Sequence, residues 1–191
     1  MSLKSRLEGN KGTVSNALSK KIAEEVLKGN EKLIEEAANL LNDNNKNIRA
    51  SAAAILQIVG ENKVELIVQH TNSILKALDS PEPQTRWSCL YTLGLCAKHD
   101  TKTALLGYEF ANKFLFEDTG ICLWGRSIDY LGLIGSASPE YGDKAVKVLS
   151  VVLDQVPKLS KRTLAALKKI ADVGNIRAKE IIDGRKNNPC L

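Results

Sequence analysis

The sequence predicts an all-α chain: a right-handed α–α superhelix of about four stacked helix pairs, with a further helix at each end. Three observations predict it. First, Ile48–Gly60 (IRASAAAILQIVG) has the form R-x-x-A-A-x-x-L-x-x-V-G, filled by Arg49, Ala52, Ala53, Leu56, Val59 and Gly60. Its apolar places fall at helical spacing and line one face. Second, the six places recur three times. They hold Arg86, Cys89, Leu90, Leu93, Cys96 and Ala97; then Trp124, Ser127, Ile128, Leu131, Ile134 and Gly135; then Thr163, Ala166, Leu167, Ile170, Val173 and Gly174. Third, the closing positions 60, 97, 135 and 174 are 37, 38 and 39 residues apart. A period in this range marks a helical repeat array. No stretch alternates polar and β-branched residues long enough to suggest a sheet.

Taken in order, the first helix is expected over Val14–Lys28, with Val14, Leu18, Ile22, Val26 and Leu27 as its apolar stripe and Gly29-Asn30 as its stop. Glu31–Leu41 follows, striped by Leu33, Ile34, Ala37, Ala38 and Leu41, with Glu31, Glu35 and Glu36 favouring its N-terminal turns. The turn from Asn42 to Lys46 is rich in residues that bond their own backbone. The glycine closing the first, third and fourth template copies is read as a helix stop.

The second pair is Lys63–Leu78 and Gln84–Lys98, separated by the proline-bearing turn from Asp79 to Pro83. The third is Lys102–Phe116 and Gly120–Ile134; the fourth is Pro139–Leu153 and Ser160–Val173. Ala145, Val148, Leu149, Val152 and Leu153 stripe the first helix of that fourth pair. A last helix, Ile176–Arg185, opens an uncompleted unit. One domain is expected over 1–191, with repeats near 31–60, 63–98, 102–135 and 139–174 and with 1–12 and 186–191 as disordered tails.

This pattern resembles the HEAT repeat family over about residues 31–174. In that family the turn carries an Asp, the second helix opens with Val/Ile-Arg, and Leu…Ile-Gly closes it. Asp43, Ile48, Arg49, Leu56 and Gly60 match in the first copy; Asp79 and Arg86 match in the second, with Ala97 for the Gly. In the third copy Asp118 and Gly135 match while Trp124 replaces the Arg; the fourth keeps Ile170 and Gly174 but has Pro157 and Thr163 at the Asp and Arg places. The resemblance implies a scaffold presenting a concave surface built from the second helices, and a structural ladder in which Arg49 and Arg86 pair with turn Asp residues. Phosphate or carboxylate contact is the alternative role for those arginines. Fold does not fix function.

Composition bounds the rest. Apolar residues make up 43% and charged residues 26%, a globular balance, and no apolar run is long enough for a membrane span. Cys89, Cys96, Cys122 and Cys190 lack metal-ligand spacing, and without a signal peptide a reduced, cytoplasmic location is expected. His70 and His99 have no ligand partners at suitable spacing, so neither a metal nor a cofactor is expected. From Lys158 onward nine Lys/Arg face three acids, while the rest of the chain is close to neutral. Such an end can steer an acidic protein or a nucleic acid, or serve as a solvated cap on the array.

The candidate binding residues are two clusters and a rim. Trp87 stands beside Arg86 and one turn before Tyr91; Trp124, Arg126, Asp129 and Tyr130 lie within two turns. Trp, Tyr and Arg dominate binding hot spots, although Trp also fills cores and an i,i+3 Arg–Asp pair is commonly a solvated one. Lys161, Arg162, Lys168 and Lys169 form a basic rim that adds on-rate more than affinity. The expected function is a non-enzymatic scaffold holding a protein partner on the concave face, with nucleic-acid binding as the rival and self-assembly through end repeats as a third reading. One enzymatic alternative comes from a HEAT-like branch of alkylpurine DNA glycosylases, in which an Asp, nearby Trp residues and an Arg act together. Asp129, Trp124 and Arg162 would fill those places, the carboxylate stabilising positive charge developing on the sugar and the indole contacting the lesion. The five-residue Trp–Asp spacing and the short chain depart from that pattern.

Overall fold

The computed structural model describes residues 1–9, 16–116 and 120–187; Val14, Asp118 and Cys190 lie outside them. Among the described residues every regular element is helical. They form two compact units, Met1–Gly107 and Tyr108–Leu191.

The first unit contains α1 (Leu3–Glu8), α2 (Asn16–Leu27), α3 (Lys32–Leu40), α4 (Lys46–Asn62), α5 (Thr71–Lys76), α6 (Pro83–Leu95) and α7 (Thr101–Leu105). Here α2 and α6 flank α4, while α1, α3 and α5 pack as a second layer. The polar N-terminal stretch is not a tail throughout: residues 3–8 are helical, and Leu3 and Leu7 are buried. Three polar contacts hold α1. Leu3 N–H donates to Glu36 at 2.7 Å, Arg6 pairs with Glu25 at 2.7 Å, and Lys4 pairs with Asp43 at 2.8 Å. Leu3 and Leu7, four apart, lie on one side of this six-residue helix, which is too short to show a long periodic stripe.

The expected Lys63–Leu78 helix is instead four short pieces: 3₁₀ turns at Val64–Leu66 and Val68–His70, then α5, then a 3₁₀ turn at Ala77–Asp79. Lys63 sits at φ −144°, ψ 79°, outside the helical region, and Val64, Ile67, Val68 and Thr71 are β-branched residues of modest helix propensity. The apolar stripe survives the break, since Ile67, Thr71, Ile74 and Leu78 are buried.

The second unit contains α8 (Tyr108–Phe116), α9 (Ile121–Ala137), α10 (Pro139–Gln155), α11 (Ser160–Ala171) and α12 (Ile176–Asn187). α9 lies against α8, α10 and α11, and α12 against α10 and α11. The expected Lys102–Phe116 helix is divided at Leu106-Gly107, and Pro157 opens a 3₁₀ turn into α11.

Arg49, Arg86 and Trp124 at the first template place are half-buried, while from the second place onward the template is buried in all four copies save the end of the last. There Val173 is 58% exposed because α11 stops at Ala171. The closing glycines divide by role. Gly174 follows its helix at φ 99°, the left-handed conformation that favours glycine, as does Gly29 at φ 115°. Gly60 and Gly135 are not stops: α4 runs on to Asn62 and α9 to Ala137. Gly135 is required for a close approach, since a Cβ there would stand 2.7 Å from Ile170 Cδ1 and 3.1 Å from Ala145 Cβ.

Candidate functional site

Arg49 does not pair with the carboxylate of its turn Asp. Its guanidinium donates to the Asp43 backbone carbonyl and forms a two-point ion pair with Glu82, in the turn before α6, with Nε–Oε2 at 3.1 Å. The Asp43 carboxylate takes Lys4 and the backbone N–H of Asn45 at 2.8 Å, which hold its pKa below the usual carboxylate value. Arg49 therefore ties one repeat to the next through an acid the repeat pattern does not mark. Arg86 and Trp124 occupy the matching register on α6 and α9 and are half-buried, as Arg49 is.

The sequence-derived clusters separate once placed. Trp87 and Tyr91, one turn apart on α6, are both half-buried. Tyr130 is fully buried, and desolvation raises its phenol pKa, so it is core and not part of an exposed anchor. Asp129 and Arg126 point outward from α9, with 21% and 27% of their side chains exposed. At about 100° per residue, Trp124 lies about 140° around α9 from Asp129 and faces another sector. The alkylpurine trio is thus divided: Asp129 and Arg162 meet, and Trp124 does not share their face.

The Asp129 neighbourhood is the most chemically organised surface of the second unit. Arg162 Nε lies 3.2 Å from Asp129 Oδ1, and Arg126 Nη1 lies 3.4 Å from Oδ2. Burial raises the carboxyl pKa, and Arg162, Arg126 and Lys169 oppose that rise. The arrangement exists because α9 has a stripe of glycines facing α11. A Cβ on Gly132 would stand 2.9 Å from both Cα and Cβ of Ala166, and one on Gly125 would collide with Arg162 Nη1. The missing side chain at Gly125 is the slot in which the guanidinium lies. Lys161, Arg162, Lys168 and Lys169 are all exposed, but the rim has two stripes. Arg162 and Lys169, seven apart, share the side of Asp129; Lys161 and Lys168 stand about 100° further round.

The packing of these helices matches solved helical-repeat structures. An engineered protein of 18% identity superposes with a TM-score of 0.61 over 87% of this chain and 81% of its own. A second engineered protein, also 18% identical, gives 0.65 over 95% of this chain, which spans half of that longer one. A designed armadillo repeat protein in complex with the peptide (KR)4 is 13% identical and gives 0.61 over 81% of this chain and 74% of its own. The fold is an armadillo-like helical repeat array. No protein-family model matches the sequence, and comparison with curated proteins gives no match.

By the 37-, 38- and 39-residue offsets, Ala50, Trp87, Gly125 and Leu164 share one register and Ala54, Tyr91, Asp129 and Lys168 another. Gly125, beside which the Arg162 guanidinium lies, and Glu82, which pairs with Arg49, are the two positions that sequence reasoning passed over. A signal for the first was present, because Gly125, Gly132 and Gly135 are seven and three apart and so fall on one stripe of a helix. No helix among the described residues is long and apolar enough to cross a membrane.

Proposed function

We propose that the chain is a protein-interaction scaffold in which each unit, by itself, holds a partner segment against side chains of its own second helices. The observation that carries this reading is the surface those helices leave uncovered. α6 offers the half-buried Trp87 and Tyr91, and α9 with α11 offers Arg126, Asp129 and Arg162. Aromatic and arginine side chains partly sunk in a rigid helical surface are the residue types that carry binding energy. The peptide complex of the designed armadillo repeat protein supports the same use of the fold. The buried, unpaired thiols Cys89 and Cys96 suit a reducing, cytoplasmic setting.

The test is affinity capture from a cell extract with the wild-type chain and with Trp87→Ala/Tyr91→Ala and Arg162→Gln variants, each shown folded by circular dichroism. A partner held by wild type and lost by either variant supports the scaffold. Partners retained equally by both variants refute the surfaces assigned to the two units.

Nucleic acid is the second reading, favoured by the four exposed cations of α11. Affinity for duplex DNA that falls steeply and linearly on a log–log salt plot is its signature. Release of an alkylated purine would in addition require the Asp129–Arg162 pair to act without Trp124 on the same face.

A further inference from the structure

Asp129 has cations on two sides, Arg126 from its own helix and Arg162 and Lys169 from α11. Arg162 meets Asp129 through Nε at 3.2 Å, and its side chain is 43% exposed. A guanidinium presents its remaining donors as a planar fork that matches a second carboxylate, and Lys169 supplies a point charge beside it. Gly125 is what holds that fork in place, since any larger side chain would occupy the volume of Arg162 Nη1.

We infer that this cluster is a receptor for an acidic peptide segment, anchored by the Arg162 guanidinium seated over Gly125. The inference rests on the scaffold reading and adds the chemistry of the partner. Asp129 decides between peptide and nucleic acid. A phosphodiester strand brings only negative charge to a site with a carboxylate at its centre. An acidic peptide brings carboxylates for Arg162 and Lys169 together with backbone N–H groups from which Asp129 can accept. The cluster is also a positioned site and not a diffuse positive field, because its key guanidinium depends on an uncharged residue.

The experiment measures fluorescence anisotropy of a labelled alternating Glu–Leu octapeptide against the full chain and three variants. Alternating Ser–Leu and Lys–Arg octapeptides and oligothymidine serve as comparison probes. The acidic peptide is expected to bind, and Arg162→Gln and Gly125→Ala are each expected to weaken it about tenfold, the value of one charge-assisted hydrogen bond. Lys147→Gln, at an exposed lysine of α10, is expected to change binding less than about twofold, as a remote surface charge does at equilibrium. Far-UV circular dichroism establishes that each variant is folded, and Arg162→Gln carries the test should Gly125→Ala not fold.

Equal binding by wild type and folded Arg162→Gln overturns the proposal, as does a loss in Lys147→Gln as large as that in Arg162→Gln. Binding of the neutral or basic peptide without the acidic one overturns it while leaving the scaffold reading intact. Binding of no peptide overturns both. Binding of oligothymidine alone moves the site to nucleic acid.

Discussion

The substitution Gly132→Ala tests the close packing of α9 on α11 most directly. A Cβ at this position would lie 2.9 Å from Cα and Cβ of Ala166 and 3.3 Å from its carbonyl oxygen. These are backbone or backbone-fixed atoms, so relief requires the helices to separate by several tenths of an ångström. Overpacking of this kind costs about 1–3 kcal/mol. Replacing a helix-interior glycine by alanine returns about 0.5–1 kcal/mol through backbone entropy and propensity. The net expectation is a destabilisation of about 1–2 kcal/mol.

Gly125→Ala on the same stripe is the internal control. Its added methyl meets the end of a flexible arginine, so the guanidinium swings away and the fold loses one partly exposed ion pair worth at most about 1 kcal/mol. That loss is close to the propensity gain, and stability should stay within about 0.5 kcal/mol of wild type. Urea unfolding at neutral pH, followed by circular dichroism, gives both midpoints; a lower midpoint at constant slope is a stability change. A Gly132→Ala midpoint at or above wild type, or a larger loss in Gly125→Ala than in Gly132→Ala, would refute the packing account.

Two further outcomes follow from the first unit. A double-mutant cycle on Arg49→Ala and Glu82→Ala is expected to give a coupling energy of about 1–3 kcal/mol, since both side chains are less than one-fifth exposed; additive effects would mean the pair is not a tie between repeats. The acid side of the stability curve should report Asp43, held down in pKa chiefly by Lys4, and Asp100, held down chiefly by the Thr71 hydroxyl at 2.7 Å and by Thr103. Folded, both bind protons more weakly than the unfolded value of 3.8, so their stabilisation is complete above that pH and is lost as pH falls through the lowered folded values. The Asp43→Asn/Asp100→Asn variant should therefore show a flatter dependence of urea midpoint on pH below about pH 4. A slope equal to wild type would place the acid sensitivity elsewhere.

The sequence by itself determined the helical repeat and its core. A template spaced at helical intervals and repeated every 37 to 39 residues can bury its apolar stripe only by stacking. Ala52, Ala53 and Leu56, Cys89, Leu90 and Leu93, and Ile128, Leu131 and Ile134 are accordingly all buried. Gly174 was legible too, because a glycine just past a helix end answers a local backbone demand. Periodicity did not reveal the breaks within Lys63–Leu78, since a buried stripe of similar spacing forms on 3₁₀ turns and on a short α-helix. Nor did it reveal α1, whose stability comes from Glu25, Glu36 and Asp43 far along the chain.

The site belongs to tertiary structure for the same reason. Arg162 and Asp129 are 33 residues apart, and nothing local relates them. They meet because Gly125, Gly132 and Gly135 let α11 approach α9 closely enough for a guanidinium to fill the space a side chain would take. Local sequence sets which faces are apolar and where helices end, because those choices are made over a few residues. Which polar groups come together across faces depends on the distance between helix axes, and only the packed structure sets that distance.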